Sequence, residues 1–172
     1  MRSNAPQRSV KASSVSFRAE PQLSDRQAIA AILSSTAFFY SYEIDIALWL
    51  LDEGIRDGVE SGYHFLFADQ DDETVGYVCY GPITMTENRY DLYWIAVKKD
   101  RQGDGIGGEL LRKAEKDMVE KGGVFLYVET SGREDYRPTL EFYEKHKYQR
   151  VACIPDFYKD GDDKIIFAKK LS

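Results

Sequence analysis

Val97-Lys98-Lys99-Asp100-Arg101-Gln102-Gly103-Asp104-Gly105-Ile106-Gly107-Gly108 is the stretch of this 172-residue sequence that decides the fold. It follows Tyr90–Val97, a nearly continuous apolar run typical of a strand that is covered on both faces. It also opens a segment whose apolar residues recur every four positions to about Lys121, which predicts a helix. Glycines let the backbone approach a ligand closely, and the free N–H groups at a helix N-terminus attract anions. The stretch therefore predicts a phosphate-bearing ligand between a strand and a helix.

A second interpretation of the glycines is a dinucleotide site, because Gly103-x-Gly105-x-x-Gly108 also fits the dinucleotide-binding pattern. In that fold the glycines follow the strand almost at once and begin a large doubly wound sheet. Here five charged or polar residues intervene, and only 64 residues follow Gly108. A small nucleotide-binding oxidoreductase stays an alternative that the position of the motif disfavours.

Outward from this stretch, the periodicity predicts one mixed α/β domain over residues 15–172, preceded by a flexible tail over residues 1–14. The run Val124–Thr130 follows the helix, so strand, helix and strand form a right-handed parallel crossover. The other predicted elements are a strand at Val15, a helix capped by Ser24, a helix over about Tyr42 to Val59, a hairpin of Tyr63–Ala68 and Thr74–Tyr80 with the charged tip Asp69–Glu73, a helix from Pro138 to about His146, and a hairpin of Tyr148–Pro155 and Lys164–Leu171.

Composition excludes several classes of function. The formal net charge of −6 and pI near 5.0 have the wrong sign for a general nucleic-acid binder. No apolar run approaches the roughly 18 residues that cross a bilayer, so we expect no membrane partner. Cys79 and Cys153 lie in apolar runs and fit small buried residues in a reducing, cytoplasmic location. No Cys or His pair has metal-ligand spacing, so we expect no metal.

Two motifs carry a resemblance to a known family. The string ending Gln102-x-x-Gly105-x-Gly107 resembles the acyl-CoA pyrophosphate loop of the GNAT superfamily of N-acetyltransferases. Phe142-Tyr143-Glu144-Lys145-His146-Lys147-Tyr148 is similar to the later helix of that family, F-Y-x-x-x-G-F, with Lys147 in place of its glycine. The resemblance implies a GNAT-like α/β fold: a mostly antiparallel sheet of about seven strands, one parallel pair joined by a crossover helix, and helices on both faces.

The resemblance also implies acetyl-CoA as co-substrate and places its binding residues. The parallel strands would separate at Val97 and Glu129, and the N–H group of Val97 would be the oxyanion donor. Asp104 departs from the family pattern, which often has a basic or small residue there. A carboxylate beside phosphate weakens binding unless it points outward or caps the helix. The implied cofactor-binding residues are Ile95, Ala96, Val97, Gln102, Gly103, Asp104, Gly105, Ile106, Gly107, Gly108 and Tyr143.

Acetyl transfer from a thioester to an amine needs a base for the amine and a proton for the departing thiolate. Tyr143, by its motif position, is the candidate acid. Glu129 is the candidate base, with Asp91 and Glu43 as alternatives. His64 and His146 are interpreted as structural residues.

The function that follows is transfer of an acetyl group to a primary amine by direct attack in a ternary complex. No acyl-enzyme is expected, because neither cysteine lies in the implied site. A non-catalytic acyl-CoA sensor of the same fold is the second alternative. We expect a small-molecule acceptor, because no extended basic or apolar docking surface is evident in the sequence. The quaternary state stays open, and the resemblance is compatible with a homodimer.

Overall fold

The computed structural model describes residues 14–172, so the predicted tail falls almost wholly outside the described residues. The helices and strands are β1 (Ser16–Arg18), α1 (Asp25–Thr36), α2 (Ser41–Asp57), β2 (His64–Gln70), β3 (Glu73–Pro82), β4 (Arg89–Val97), α3 (Ile106–Glu120), β5 (Phe125–Ser131), α4 (Arg137–Lys145), β6 (Gln149–Lys159) and β7 (Asp162–Lys170). Within this range no helix is long and apolar enough to span a bilayer.

The strands form one seven-stranded sheet in the order β1-β2-β3-β4-β5-β7-β6. Neighbouring strands are antiparallel except β4 and β5, which run parallel and are joined by α3. The predicted fold class, with about seven strands and one parallel pair, is confirmed.

Two apolar clusters cover the two faces of the sheet. On one face α3 buries Ile106, Leu110, Ala114 and Met118, the residues that its four-residue spacing predicts. Together with α4 they pack on β5 and β7. On the other face α1 and α2 pack on β2 and β3. Helices on both faces are thus a direct consequence of apolar stripes that need cover.

The hairpin of β2 and β3 is longer than predicted. Asp69 and Gln70 belong to β2 and Glu73 to β3, so the turn is only Asp71-Asp72, both with positive φ. The predicted charged tip over Asp69–Glu73 is wrong for a physical reason. The carboxylate of Asp69 accepts hydrogen bonds from Arg18 Nε at 2.7 Å and from Thr74 Oγ1 at 2.7 Å, which keep it in the strand.

Two smaller expectations also fail. Ser24 makes no side-chain capping bond; instead Asp25 accepts a bond from the Gln22 N–H at 2.8 Å. Cys79 is buried as expected, but Cys153 is exposed because β6 is the edge strand and all its residues are exposed.

The start of α1 is fixed by a buried ion pair, because Asp25 is only 1% exposed and both its oxygens accept bonds from the Arg18 guanidinium. We expect Asp25→Asn to lower the free energy of unfolding by about 2 kcal/mol, since the partly buried Arg18 loses its more buried carboxylate partner and keeps only Asp69. Urea denaturation measures this loss.

The matched control is Asp52→Asn. Asp52 pairs with Arg26 at 3.4 Å, but both side chains are about half exposed, so little change is expected. Equal losses in the two variants would contradict a special role for the Arg18–Asp25 pair.

Candidate active site

The parallel pairing of β4 and β5 runs only from Arg89↔Phe125 to Leu92↔Val128. Beyond it, Tyr93–Val97 of β4 and Glu129–Ser131 of β5 separate. The separation starts at Glu129 as expected, but on β4 it starts at Tyr93 and not at Val97. The cause is a β-bulge, because Cys79 of β3 pairs with Trp94 and the next residue pairs with Leu92, leaving Tyr93 as the extra residue.

The separated part of β4 turns free backbone groups toward the gap. The Lys98 N–H donates to the Val75 carbonyl at 2.8 Å, on the β3 side. Because amides alternate sides along a strand, the N–H groups of Ile95 and Val97 point the other way, into the gap. They can therefore pair with an extended ligand in place of a strand.

Gln102 connects this strand end to the glycine loop. Its side-chain Nε2 donates to the Val97 carbonyl at 3.1 Å, and its own N–H donates to the Lys99 carbonyl at 3.4 Å. Gln102 is expected to bind phosphate; its backbone N–H and one of its two Nε2 hydrogens are used within the protein, which leaves one side-chain donor. The run of free amides therefore begins at Gly103.

The glycine loop presents a row of N–H groups. The first backbone bond of α3 runs from the Glu109 N–H to the Gly105 carbonyl at 3.1 Å, and no described residue accepts from the amides of residues 103–108. Gly103 and Gly105 have φ values of 92° and 83°, which disfavour any other residue. A Cβ atom at either position would meet no protein atom within 4 Å. These amides, at the positive end of the α3 dipole, fit a diphosphate.

Two residues of the loop, Gly108 and Asp104, interact with other parts of the protein. Gly108 has a packing role, since a Cβ there would lie 2.8 Å from His146 Nε2. His146 Nδ1 lies 2.8 Å from the Phe142 carbonyl oxygen, which holds the ring against α3. Asp104 is half exposed and pairs with Arg101, with 3.3 Å between Oδ2 and Nε, so its charge is partly offset.

Two cavities open from the gap. The cofactor-side cavity, of about 470 Å³, is lined by every residue that the resemblance assigns to the cofactor except Asp104. The acceptor-side cavity, of about 530 Å³, lies toward α2 and is lined by Glu43, Asp91 and Glu129 among others. The residues that line both cavities are Phe39, Ile95, Thr139 and Tyr143.

Tyr143 thus lies where the two cavities meet. It is 3% exposed and packs against the rings of Phe142, Tyr148 and Phe167, with centroids 5.4 to 5.5 Å apart. Burial raises the pKa of its phenol, so the hydroxyl is protonated at neutral pH. That hydroxyl makes no hydrogen bond with the residues described, which leaves it available as a donor.

The three candidate bases differ in their surroundings. Glu43 accepts a bond from the Tyr40 N–H at 2.7 Å and caps α2. Glu129 is exposed and pairs with Lys164 Nζ at 2.6 Å. Asp91 is half-buried and has no ion-pair partner among the described side chains. Burial raises the pKa of Asp91 to about 6, and the nearby charge of Glu129 adds to the rise.

The outer wall of the acceptor-side cavity contains residues that the sequence reasoning did not assign to the site. Arg133 pairs with Asp162, with 3.1 Å between Nε and Oδ2, and donates to the Tyr40 hydroxyl at 3.1 Å. Tyr40 and Arg133 are 93 positions apart, and no motif links them. Only the fold brings the α1–α2 connection and the segment after β5 together.

The comparisons with known proteins agree with this geometry. The model of the acetyltransferase (GNAT) family matches residues 27–148, well over half of the chain, and the chain belongs to this family. A crystal structure of a protein from Desulfovibrio desulfuricans that is assigned to the same family is 43% identical, with a TM-score of 0.90. The match covers 92% of this chain and all of that one.

Other relatives are more distant. An acetyltransferase of Pectobacterium atrosepticum is 32% identical over 90 residues, which span 52% of this chain and 60% of that protein. The chain thus matches less than two thirds of the length of this relative. An aminoglycoside 6'-N-acetyltransferase complexed with coenzyme A shares the fold, with a TM-score of 0.74 and 20% identity over 93% of this chain and 98% of that one.

The role of the glycine loop can be tested at Gly105. Gly105→Val places a branched side chain at φ 83°, on the cofactor-side cavity. We expect affinity for coenzyme A, measured by isothermal titration, to fall at least tenfold, because the loop must shift to relieve a strain of about 1–3 kcal/mol.

Gly122→Val is the matched control. Gly122 has φ 84° and the same free space around its Cβ position, but it lies beyond the other end of α3. Both variants should lose similar thermal stability, and only Gly105→Val should lose affinity. Unchanged affinity in Gly105→Val would mean that coenzyme A binds elsewhere.

Proposed function

We propose that this protein is an acetyl-CoA-dependent N-acetyltransferase that acts on the primary amine of a small molecule. The observation that carries the proposal is the meeting of the two cavities at Tyr143, in the gap between β4 and β5. Donor and acceptor can enter from opposite sides and react directly. Family membership and the structural neighbour complexed with coenzyme A support acetyl-CoA as the donor.

Acetyl-CoA, when bound, supplies an activated acetyl group on a thioester. The free amides of residues 103–108 bind its diphosphate, and the N–H groups of Ile95 and Val97 pair with the pantetheine arm. The Val97 N–H also donates to the carbonyl oxygen on which negative charge develops. All of these donors are backbone groups that the fold holds in place.

For the base, we propose that Asp91 and Glu129 act as a pair. Asp91 takes the proton from the amine, directly or through water, because it is the less exposed of the two and forms no ion pair with the described side chains. The charge of Lys164 lowers the pKa of Asp91, but less than burial and Glu129 raise it. Glu129, the residue first expected to be the base, raises the proton affinity of Asp91 by repulsion. Lys164 limits that effect, since it pairs with Glu129.

For the acid, Tyr143 donates its proton to the departing thiolate. An unperturbed phenol protonating an unperturbed thiolate is uphill by about 2 kcal/mol. Burial raises the pKa of Tyr143 and adds to that cost. The thiolate forms in the same apolar surroundings, which raise its proton affinity too, so the transfer stays feasible.

Three further properties of this protein are predictions from its sequence. They are the cytoplasmic location, the homodimer and the absence of a metal. Because the chain belongs to the GNAT family, its glycines no longer indicate a dinucleotide-binding oxidoreductase. An acyl-CoA sensor would differ from the enzyme in releasing no CoA, which a thiol-release assay measures.

Tyr143→Phe tests the acid. We expect kcat to fall about 100-fold, because the thiolate loses its proton donor, while the Kd for acetyl-CoA changes less than about twofold. A thiol-release assay over a panel of amines and isothermal titration measure the two quantities. Tyr148→Phe is the control, because its ring neighbours Tyr143 but its hydroxyl donates to Glu115. A wild-type protein that binds acetyl-CoA and never releases CoA would identify a sensor.

The pH profile tests the paired carboxylates. With Asp91 as base, kcat/KM should rise with pH through about 6, the value to which burial raises its pKa. Asp91→Asn should remove this acid limb and lower kcat/KM at pH 7.5 by about 100-fold. Glu129→Gln removes a repelling charge, which lowers the pKa of Asp91, so its acid limb should move to lower pH. An intact limb in Asp91→Asn would exclude Asp91 as the base.

A further inference from the structure

Helix α2 carries apolar residues on two opposite faces. The predicted stripe Ile44, Leu48, Leu51 and Ile55 belongs to the cluster packed on the sheet. Tyr42, Ile46 and Trp49 recur at helical spacing on the other face and are 60%, 46% and 53% exposed. The expectation that the protein has no extended apolar surface is therefore wrong. The sequence does not reveal this surface, because periodicity alone does not show which apolar residues of a helix are covered by other elements.

This exposed surface is continuous with the acceptor-side cavity. Tyr42 and Ile46 line the cavity themselves. The ring of Trp49 meets Tyr63 edge-on at 6.3 Å between centroids, and Tyr63 meets the cavity-lining Tyr93 at 5.5 Å. We call Tyr42, Ile46, Trp49 and Tyr63 the outer strip. From Tyr42 to Trp49 it extends about 10 Å along the helix axis.

The two parts of this surface differ in charge. The cavity is lined by the carboxylates of Glu43, Asp91, Glu129 and Asp162 and by one arginine, Arg133, already paired with Asp162. Its inner part therefore favours a cation. The outer strip has no charged member. Of the carboxylates beside it on α2, Asp45 is exposed to solvent and Glu53 is paired with Arg56. The outer strip therefore favours an apolar group.

We propose that the acceptor is an amphiphilic amine, with a primary ammonium group at one end and a linear apolar or aromatic body that lies along the outer strip. This inference rests on the proposed function and narrows its substrate class. The ammonium group enters the cavity beside Asp91, and the body covers Ile46 and Trp49. Apolar surface on both partners is removed from water, which favours longer acceptors.

The test is a chain-length series in the thiol-release assay. From n-butylamine to n-octylamine we expect kcat/KM to rise about tenfold, because the added methylenes are partly buried on the strip. 1,6-Diaminohexane should be a poorer acceptor than n-hexylamine, since its second ammonium group would lie on apolar surface. A peptide with an apolar N-terminal residue is the third arm.

Trp49→Ala should reduce the dependence on chain length to within about twofold. Leu23→Ala is the matched control, because Leu23 is 77% exposed and lines neither cavity. A rate independent of chain length, a preference for the diamine or for the peptide, or an unchanged slope in Trp49→Ala would each overturn the inference.

A binding measurement separates this inference from the proposed function. Trp49 is one of two tryptophans, and we expect n-octylamine to shift its fluorescence to shorter wavelength. The shift should be much smaller in Trp49→Phe, where the remaining emitter, Trp94, lines the cavity and does not belong to the outer strip. If no amine releases CoA but the shift occurs, the proposed function fails and the amine site stands. If amines are acetylated without any shift, the function stands and the outer strip is not the acceptor site.

Discussion

The interruption of the parallel pairing between β4 and β5 is the constraint on which the site depends. After Leu92 and Val128 the strands separate, and the bulge at Tyr93 turns β4 away from β5. The N–H groups of Ile95 and Val97 then face a gap with no strand to accept from them. A buried amide without a partner costs about 1–3 kcal/mol of free energy. An extended ligand whose carbonyl groups accept from these amides removes that cost. The crossover through α3 places the glycine loop at the same edge.

The two sides of the gap have opposite electrostatic character. On the cofactor side, the free amides of residues 103–108 and the dipole of α3 favour phosphate. On the acceptor side, the carboxylates favour an ammonium group. Tyr143 lies between them with its phenol neutral, because burial penalises the phenolate. A chain of net charge −6 can therefore still present a site that favours an anion, because the free donors of the glycine loop are backbone amides, not side chains.

Much of the fold and part of the site followed from local pattern. The apolar spacing of α3 and the apolar runs of β4 and β5 predicted their burial, because cover on one or both faces needs a particular period. Tyr143 and the glycine loop were found by motif. Asp91 was only an alternative base, since its half-buried position comes from β3 and β5, the strands on either side of β4. No local sequence pattern indicated the place of Arg133 or of the outer strip in the site. Each depends on which residues from distant segments lie next to it.

The sequence by itself determined the periodicity of its helices and strands, the cluster of glycines between β4 and α3, and the order of elements around the glycine loop. These properties depend on neighbouring residues and on the few backbone conformations open to them. The tertiary structure alone decided where β4 and β5 separate, which carboxylate is shielded from water, and which apolar face of α2 stays exposed. These properties depend on contacts between distant segments. The burial of a residue and the charge around it are set by residues that are not its neighbours in sequence.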